Sequence, residues 1–177
     1  MPILGLVVCG APLAARTYDL VEHARRAQWE VSVVPTPAAA AWLKPDSDIS
    51  ARVTGFALPQ AKRLRPDAVV VCPLTFNSAG KWAIGIADNR PMSLLCEALG
   101  SGIPIVAIPM VNESLWNHPA WMGHIELLQE RGVVMLDPDT GQRGAKAVRH
   151  GTGDDVSTRF DPANVVDVLA QLSRNLA

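Results

Sequence analysis

The sequence of 177 residues predicts an α/β fold in which a parallel β-sheet is covered by helices on both faces. The first observation is a series of short, continuous apolar runs, which are typical of strands buried on both sides. The second is that segments with apolar residues at helical spacing separate these runs, as in β–α–β units. The third is the length, which suits one domain with a sizeable core.

Five apolar runs predict the strands, in the order Ile3–Cys9, Val31–Val34, Ala68–Cys72, Ile103–Ile108 and Val133–Leu136. The N-terminal stretch is apolar but short, and no Lys or Arg precedes it, so we expect a first strand there rather than a signal peptide. Parallel strands joined by right-handed crossovers bind ligands beyond their carboxyl ends. We therefore expect the functional site at that edge of the sheet.

Helices are predicted where apolar residues recur at helical spacing, over Leu13–Trp29, Ala38–Leu43, Ser78–Gly100, Trp121–Arg131 and Pro162–Leu176. The third of these should break near Asn89-Arg90-Pro91, because proline disfavours helical geometry at the residue before it. Two segments show neither helical spacing nor a continuous apolar run and are predicted to be loops: 44–57 and 137–161.

The composition restricts the partners of the protein. A formal net charge of −1 gives no general attraction to nucleic acid or to an anionic membrane. No stretch approaches the roughly 20 apolar residues of a membrane helix. We therefore expect no nucleic-acid or membrane partner. The three cysteines, Cys9, Cys72 and Cys96, are predicted to be reduced thiols of a cytoplasmic protein, and their spacing indicates no metal site.

Three loops that follow predicted strands should meet at one edge of the sheet: 9–12, 35–37 and 73–78. A turn of small residues that opens a helix presents backbone N–H groups, and the helix dipole adds roughly 0.3–1 kcal/mol for an anion there. Hydroxyl and amide groups accompany these loops, and they belong to Thr36, Thr75, Asn77 and Ser78. Such residues are also ordinary turn and N-cap residues. The pattern therefore favours a phosphate-sized site without naming the ligand.

Two segments carry a resemblance. Residues 72–89 are CPLTFNSAGKWAIGIADN, and residues 109–120 are PMVNESLWNHPA. The first is similar to the flavin-contacting segment of the homo-oligomeric flavin-containing cysteine decarboxylases, a flavoprotein family. The second is similar to the substrate motif of that family, with Val111 and Leu115 where methionines are usual. The opening LVVCGAPLAA resembles the family's first phosphate loop more loosely.

The resemblance covers roughly residues 3–138 and implies a Rossmann-like three-layer fold. Together with the length, it predicts a single flavoprotein domain over residues 1–177. It implies that FMN lies at the carboxyl edge of the sheet and is bound by Gly10, Ala11, Thr36, Thr75, Asn77, Ser78, Ala87, Asp88 and Asn89. Asn112 would take the catalytic role of recognising the substrate carboxylate, with Trp116 as a second substrate-binding residue. A turn or N-cap role for Asn112 ahead of Glu113 is the alternative. Family members form trimers or dodecamers built from trimers, so a homotrimer or homododecamer is expected.

The chain departs from the family at two catalytic positions. The family's histidine is replaced by Pro59, which cannot move a proton, and the loss of a positioned acid or base costs roughly 10²- to 10⁴-fold in rate. The C-terminal loop lacks the cysteine that phosphopantothenoylcysteine decarboxylases use. Its cationic residues could clamp an anionic substrate or form a solvated surface: Arg143, Lys146, Arg149 and His150. His23, His118, His124 or His150 could replace the family histidine only if folding brings one to the flavin.

Three functions therefore compete. The first is a flavin-dependent decarboxylase, a lyase that oxidatively decarboxylates a cysteine-containing peptide or a related small-molecule thiol. The second is an FMN-binding protein without decarboxylase activity, a regulatory or partner subunit, which Pro59 favours. The third is a flavin prenyltransferase, and it ranks last because residues 109–116 do not match that branch.

Overall fold

The computed structural model describes residues 1–43 and 65–174. In this part of the chain the strands form a parallel sheet in the order β2-β1-β3-β4-β5. The α/β class and the parallel sheet predicted from the sequence are confirmed. The strands are β1 (Ile3–Val8), β2 (Glu30–Pro35), β3 (Ala68–Leu74), β4 (Ile105–Pro109) and β5 (Val133–Met135).

Helices or 3-10 turns follow the strands. The predicted first helix begins as a 3-10 turn, Pro12–Arg16, and a second 3-10 turn, Pro37–Ala41, follows β2. None of the described helices is long and apolar enough to cross a membrane. The α-helices are α1 (Thr17–Arg26), α2 (Phe76–Ala83), α3 (Arg90–Ser101), α4 (Glu113–Trp116), α5 (Pro119–Glu130), α6 (Gly153–Arg159) and α7 (Pro162–Arg174).

The side chains of β1 alternate between two hydrophobic cores. Leu4, Leu6 and Val8 belong to the core that includes residues of α1, α6 and α7. Val7 belongs to the core that includes residues of α2, α3 and α5. Successive strand residues point to opposite faces, and both faces of β1 are buried. Every position of β1 is therefore apolar. The three-layer arrangement is confirmed.

The break in the long predicted helix is real, but its cause is different from the one predicted. Residues 84–89 separate α2 from α3, and Arg90 is helical although it precedes Pro91. Proline is tolerated in the first turn of a helix because its missing N–H has no intrahelical partner there. Asn89 starts the new helix, since its Oδ1 accepts a hydrogen bond from Met92 N at 3.0 Å.

The prediction that 137–161 is a loop was wrong in part, because the segment contains α6. This helix buries only Val156 and Ser157 and therefore shows no apolar periodicity. Its position is set by Arg16, whose Nη1 donates to the Ser157 carbonyl oxygen at 2.6 Å. The other predicted loop, 44–57, and position 59 lie outside the described residues.

Candidate functional site

The sheet has its topological switch point between β1 and β3. The chain leaves β1 toward β2 on one side, and then returns to add β3, β4 and β5 on the other side. Loops that diverge at such a point leave a crevice beyond the carboxyl ends of the strands. A cleft of about 600 Å³ lies there, within the size range of small-molecule sites. Its walls include segments that follow four of the strands: 10–12, 36–38, 75–78 and 110–112.

Most of the sequence-predicted site residues line this cleft, namely Gly10, Ala11, Thr36, Thr75, Asn77, Ser78, Asn89 and Asn112. Ala87, Asp88 and Trp116 are not among the lining residues. Asp88 forms an ion pair with Lys81, with Oδ2 2.5 Å from Nζ. Lys81 lines the cleft, so Asp88 contacts a residue of the cleft wall. Trp116 packs on the buried Trp121, with ring centroids 5.2 Å apart.

Sequence reasoning missed several residues of the cleft wall. Lys81 could have been found, because it follows Ser78 by three residues and therefore shares its face of α2. The others are mostly apolar and carried no chemical signal of their own: Pro12, Pro37, Ala38, Trp42, Phe76, Met92, Met110, Val111 and Leu115.

Gly10 allows the loops after β1 and β2 to approach each other closely. A Cβ atom at this position would lie 2.6 Å from the Ala38 carbonyl oxygen and 2.9 Å from the Ala38 Cβ. Only glycine therefore fits without a shift of the backbone. The neighbouring Thr36 is held in the same region, since its N–H donates to the Val8 carbonyl oxygen at 2.8 Å.

The N-terminus of α2 opens onto the cleft. Thr75 occupies the N-cap position, and its Oγ1 accepts from Ser78 N at 3.4 Å and donates to Ser78 Oγ at 3.2 Å. The first-turn N–H groups of a helix have no intrahelical partners, and the dipole favours negative charge at this end. Because Phe76, Asn77 and Ser78 all line the cleft, this end of α2 is suited to an anion.

Thr36 provides a second, independent sign of a polar ligand. Its Oγ1 is buried and has no hydrogen-bond partner among the described residues. Thr36 occupies the cap position of the 3-10 turn that follows β2, yet its side chain makes no capping hydrogen bond. A buried hydroxyl left unsatisfied costs about 1–3 kcal/mol. A ligand oxygen bound beside Thr36 would remove that cost.

Cys9 lies beneath this part of the cleft. Burial raises the pKa of the Cys9 thiol, and hydrogen bonds with Ser78 and Thr75 lower it by less. Because the thiolate is the nucleophilic form, a buried thiol with a raised pKa is unreactive at neutral pH. Cys9 therefore acts as a structural neighbour of the cleft rather than as its nucleophile.

Asn112 caps α4 and also lines the cleft. Its Oδ1 accepts a hydrogen bond from Leu115 N at 3.0 Å, which is the N-cap role that the sequence allowed as an alternative. The cap uses the carbonyl oxygen of the amide, whereas the Nδ2 group remains a donor. The capping role and a role in binding a carboxylate are compatible, because they use different atoms of Asn112.

All four histidines lie in the described part of the chain, and His150 is the one that lines a cavity adjoining the cleft. His23 Nδ1 lies 2.8 Å from a backbone carbonyl oxygen of α1. His118 Nδ1 accepts an N–H of the first turn of α5 at 3.1 Å. His124 packs against α2, and its buried Nδ1 has no partner among the described residues. The described residues contain no group of three or more His, Cys, Asp or Glu side chains that could hold a metal ion.

Comparison with known proteins gives relatives for most of the chain. Residues 2–151 match the model of the Flavoprotein family. The coenzyme A biosynthesis bifunctional protein CoaBC of Haemophilus influenzae is 29% identical over 146 residues, which are 76% of this chain and 36% of that protein. A probable phosphopantothenoylcysteine decarboxylase of Arabidopsis thaliana is 31% identical over 72 residues, which are 41% of this chain and 35% of that protein. The matched regions thus span about a third of the length of these relatives.

Solved structures share the fold over nearly the whole chain. The FMN binding protein AtHal3 has a TM-score of 0.73 at 22% identity, covering 99% of this chain and 98% of that one. The peptidyl-cysteine decarboxylase EpiD has a TM-score of 0.67 at 16% identity, covering 95% and 98%. A dodecameric FMN-dependent UbiX-like decarboxylase from Escherichia coli O157:H7 has a TM-score of 0.72 at 19% identity, covering 95% and 94%. These similarities establish a common architecture.

Proposed function

The chain belongs to the Flavoprotein family, and we propose that the cleft at the switch point binds FMN. The observation that carries the proposal is the buried hydroxyl of Thr36, which has no hydrogen-bond partner among the described residues and lies in a cleft onto which the N-terminus of α2 also opens. An unpaired donor and a set of helix N–H groups together fit a phosphate. The phosphate would be bound by Gly10, Thr36 and Ser78.

The rest of the cleft suits a flat, largely apolar ring. Asn77 and Asn89 are the polar residues that would contact the flavin ring, and the apolar part of the wall is supplied by Met92, Met110, Val111 and Leu115. A few placed polar groups among apolar ones are typical of cofactor sites. Ala87 and Asp88 would act indirectly, by shaping the loop that ends in Asn89.

The reaction that we propose is the oxidative decarboxylation of a cysteine-containing peptide or a related thiol. Bound FMN supplies the two-electron acceptor that such a reaction needs. Asn112 would donate a hydrogen bond from Nδ2 to the substrate carboxylate, an interaction with a charged group that is typically worth about 1.5–3 kcal/mol. Support comes from the relatives, several of which are described as decarboxylases.

An FMN-binding protein without decarboxylase activity is the second candidate function, in the role of a regulatory or partner subunit. Pro59 favours it, because the family's histidine is absent at that position. His150 favours the enzyme, since it lines the cavity beside the cleft and could supply a proton donor or acceptor there.

We also propose that the protein is a homotrimer or a homododecamer. Two of the tryptophans are core residues and cannot contribute to an interface, because Trp82 is 1% exposed and Trp121 is fully buried. Exposed apolar side chains are instead found at Ile84, Ile86 and Met122. A comparable structure is described as dodecameric. Light scattering tests the assembly, and a monomer at micromolar concentration would rule it out.

Mass spectrometry tests the reaction. Peptides that end in cysteine are incubated with FMN-loaded protein, and the products are examined for the loss of CO₂ and two hydrogens. Release of the enethiol product supports the enzyme. If FMN is bound and no cysteine-terminated peptide shows this loss, the second candidate function replaces the first.

A further inference from the structure

A second cavity of about 340 Å³ adjoins the proposed FMN cleft. The two share Pro12, Met110, Val111 and Asn112 as lining residues. The opposite wall of the second cavity comes from the segment that leads into α6, and its residues are Val148, Arg149, His150, Gly151, Gly153 and Asp154. A molecule that contacts Asn112 can therefore face both spaces.

This second cavity has packed walls. Val148 N donates to the Val111 carbonyl oxygen at 2.8 Å, and Asn112 and Val148 pair in a β-bridge. This contact places Arg149 next to the segment that carries Asn112. On the other side, Gly153 packs so closely on Pro12 that a Cβ at position 153 would lie 3.1 Å from the Pro12 Cγ.

The charges of the cavity suit a single negative group. Within the described residues, the Arg149 guanidinium has no hydrogen bond or ion pair, whereas Arg16 pairs with Asp19 and Arg159 pairs with Asp139. Asp154 also lines this cavity and adds one negative charge to its wall. Asp154 would repel a doubly charged phosphate more strongly than it repels a carboxylate, which carries a single negative charge. A carboxylate also matches the two parallel N–H donors of the arginine guanidinium.

We propose that the second cavity binds a side-chain carboxylate of the substrate, so that Arg149 selects acidic cysteine-terminated peptides. The inference rests on the proposed function, because it takes the cysteine of the substrate to lie at the FMN cleft beside Asn112. The acidic side chain of a preceding residue then extends past Asn112 into the second cavity. Arg149 is a specificity residue in this arrangement and takes no part in the chemistry.

The test compares Arg149→Gln with a matched control, Arg143→Gln. Both arginines are exposed and belong to the segment between β5 and α6, but Arg143 does not line the second cavity. The FMN-loaded proteins are titrated with the peptides Glu-Glu-Cys and Gln-Gln-Cys, and with a peptide that has phosphoserine in place of each Glu. Binding is measured by calorimetry at low and high salt, so that turnover is not required.

We expect the parent and Arg143→Gln to prefer Glu-Glu-Cys over Gln-Gln-Cys by about tenfold, and salt to reduce the preference. Arg149→Gln should bind the two peptides equally. Equal binding by the parent, a preference that persists in Arg149→Gln, or tighter binding of the phosphoserine peptide overturns the inference. Flavin absorbance is measured first: a parent that takes up no FMN contradicts the proposed function, whereas an FMN-loaded parent without the acidic preference contradicts this inference alone.

Discussion

Gly10 lies so close to Ala38 that a methyl group on its Cα would stand 2.6 Å from the Ala38 carbonyl oxygen. The contact joins the loop after β1 to the loop after β2. Those two loops supply Gly10 and Thr36 to one wall of the cleft. The shape of the proposed phosphate site therefore depends on the absence of a side chain at position 10.

Gly10→Ala should weaken FMN binding at least tenfold and lower the melting temperature, because forcing a methyl group into packed backbone typically costs about 1–3 kcal/mol. Gly123→Ala is the matched control. Gly123 lies within α5, and a Cβ there would meet nothing within 4 Å. That variant should gain roughly 0.5–1 kcal/mol in stability and bind FMN like the parent. Fluorescence titration and thermal unfolding measure both effects, and unchanged FMN affinity in Gly10→Ala would remove the proposed role of this contact.

Thr36→Val should change stability and cofactor binding in opposite directions. The valine removes a buried hydroxyl that has no partner among the described residues, so the FMN-free protein should become as stable as the parent or more stable. FMN affinity should fall about tenfold, since one hydrogen bond to a charged group is lost.

Thr17→Val is the control for Thr36→Val. Thr17 is also buried, but its Oγ1 donates to the Ala14 carbonyl oxygen at 2.7 Å, and it does not line the cleft. This variant should be less stable by about 1 kcal/mol and should bind FMN normally. If Thr36→Val loses stability and keeps its FMN affinity, the Thr36 hydroxyl does not contact the cofactor.

Asn112→Asp should abolish loss of CO₂ from a peptide ending in cysteine while FMN stays bound. Aspartate is as good an N-cap residue as asparagine, so the hydrogen bond from Leu115 N is retained and α4 should persist. The Nδ2 donor, however, is replaced by a carboxylate oxygen that repels the carboxylate of the substrate. Product analysis and flavin absorbance give the two readouts. A variant that turns over like an active parent would show that Asn112 serves only as a cap.

The buried cysteines should be unreactive in the folded protein. Burial raises the pKa of the Cys9 and Cys72 thiols, so each thiolate forms only at a higher pH than in the unfolded chain. Because the folded pKa is raised, the stability contributed by the protonated thiols is present at neutral pH and is lost as pH rises toward the folded pKa. Alkylation at neutral pH followed by mass spectrometry should modify the half-buried Cys96 first. Rapid labelling of Cys9 in the native state would contradict this description.

The fold could be predicted because its strands are apolar on both faces. The run Ile3–Cys9 and the observed β1 agree to within one residue, since every position of the strand is buried except for its partly buried first residue. The loops of the site could be predicted for the same reason, because the carboxyl ends of parallel strands meet at one edge. The strands could therefore be predicted from the local sequence, and the parallel sheet that they form brings Gly10, Thr36 and Ser78 together.

The parts that could not be predicted depend on contacts between distant residues. Helix α6 is positioned by Arg16, which is far from it in sequence, and the second cavity forms where Val148 meets Val111. Neither contact leaves a periodic signal. The predicted effect of Pro91 on Arg90 was wrong for a different reason. Because Asn89 is the N-cap, Pro91 lies in the first turn of α3, where proline is tolerated. Whether Asn89 caps the helix depends on the geometry of the loop before Asn89.

The identity and amount of flavin in the purified protein show most directly whether the cleft at the switch point binds FMN. The protein is reconstituted with excess FMN, freed of unbound ligand and denatured by heat, and the released compound is identified by chromatography. We predict one FMN per chain, and a lower FMN affinity in Thr36→Val than in Thr17→Val. A preparation that stays colourless with excess FMN, or one that releases FAD or NAD instead, would show that the cleft at the switch point is not an FMN site.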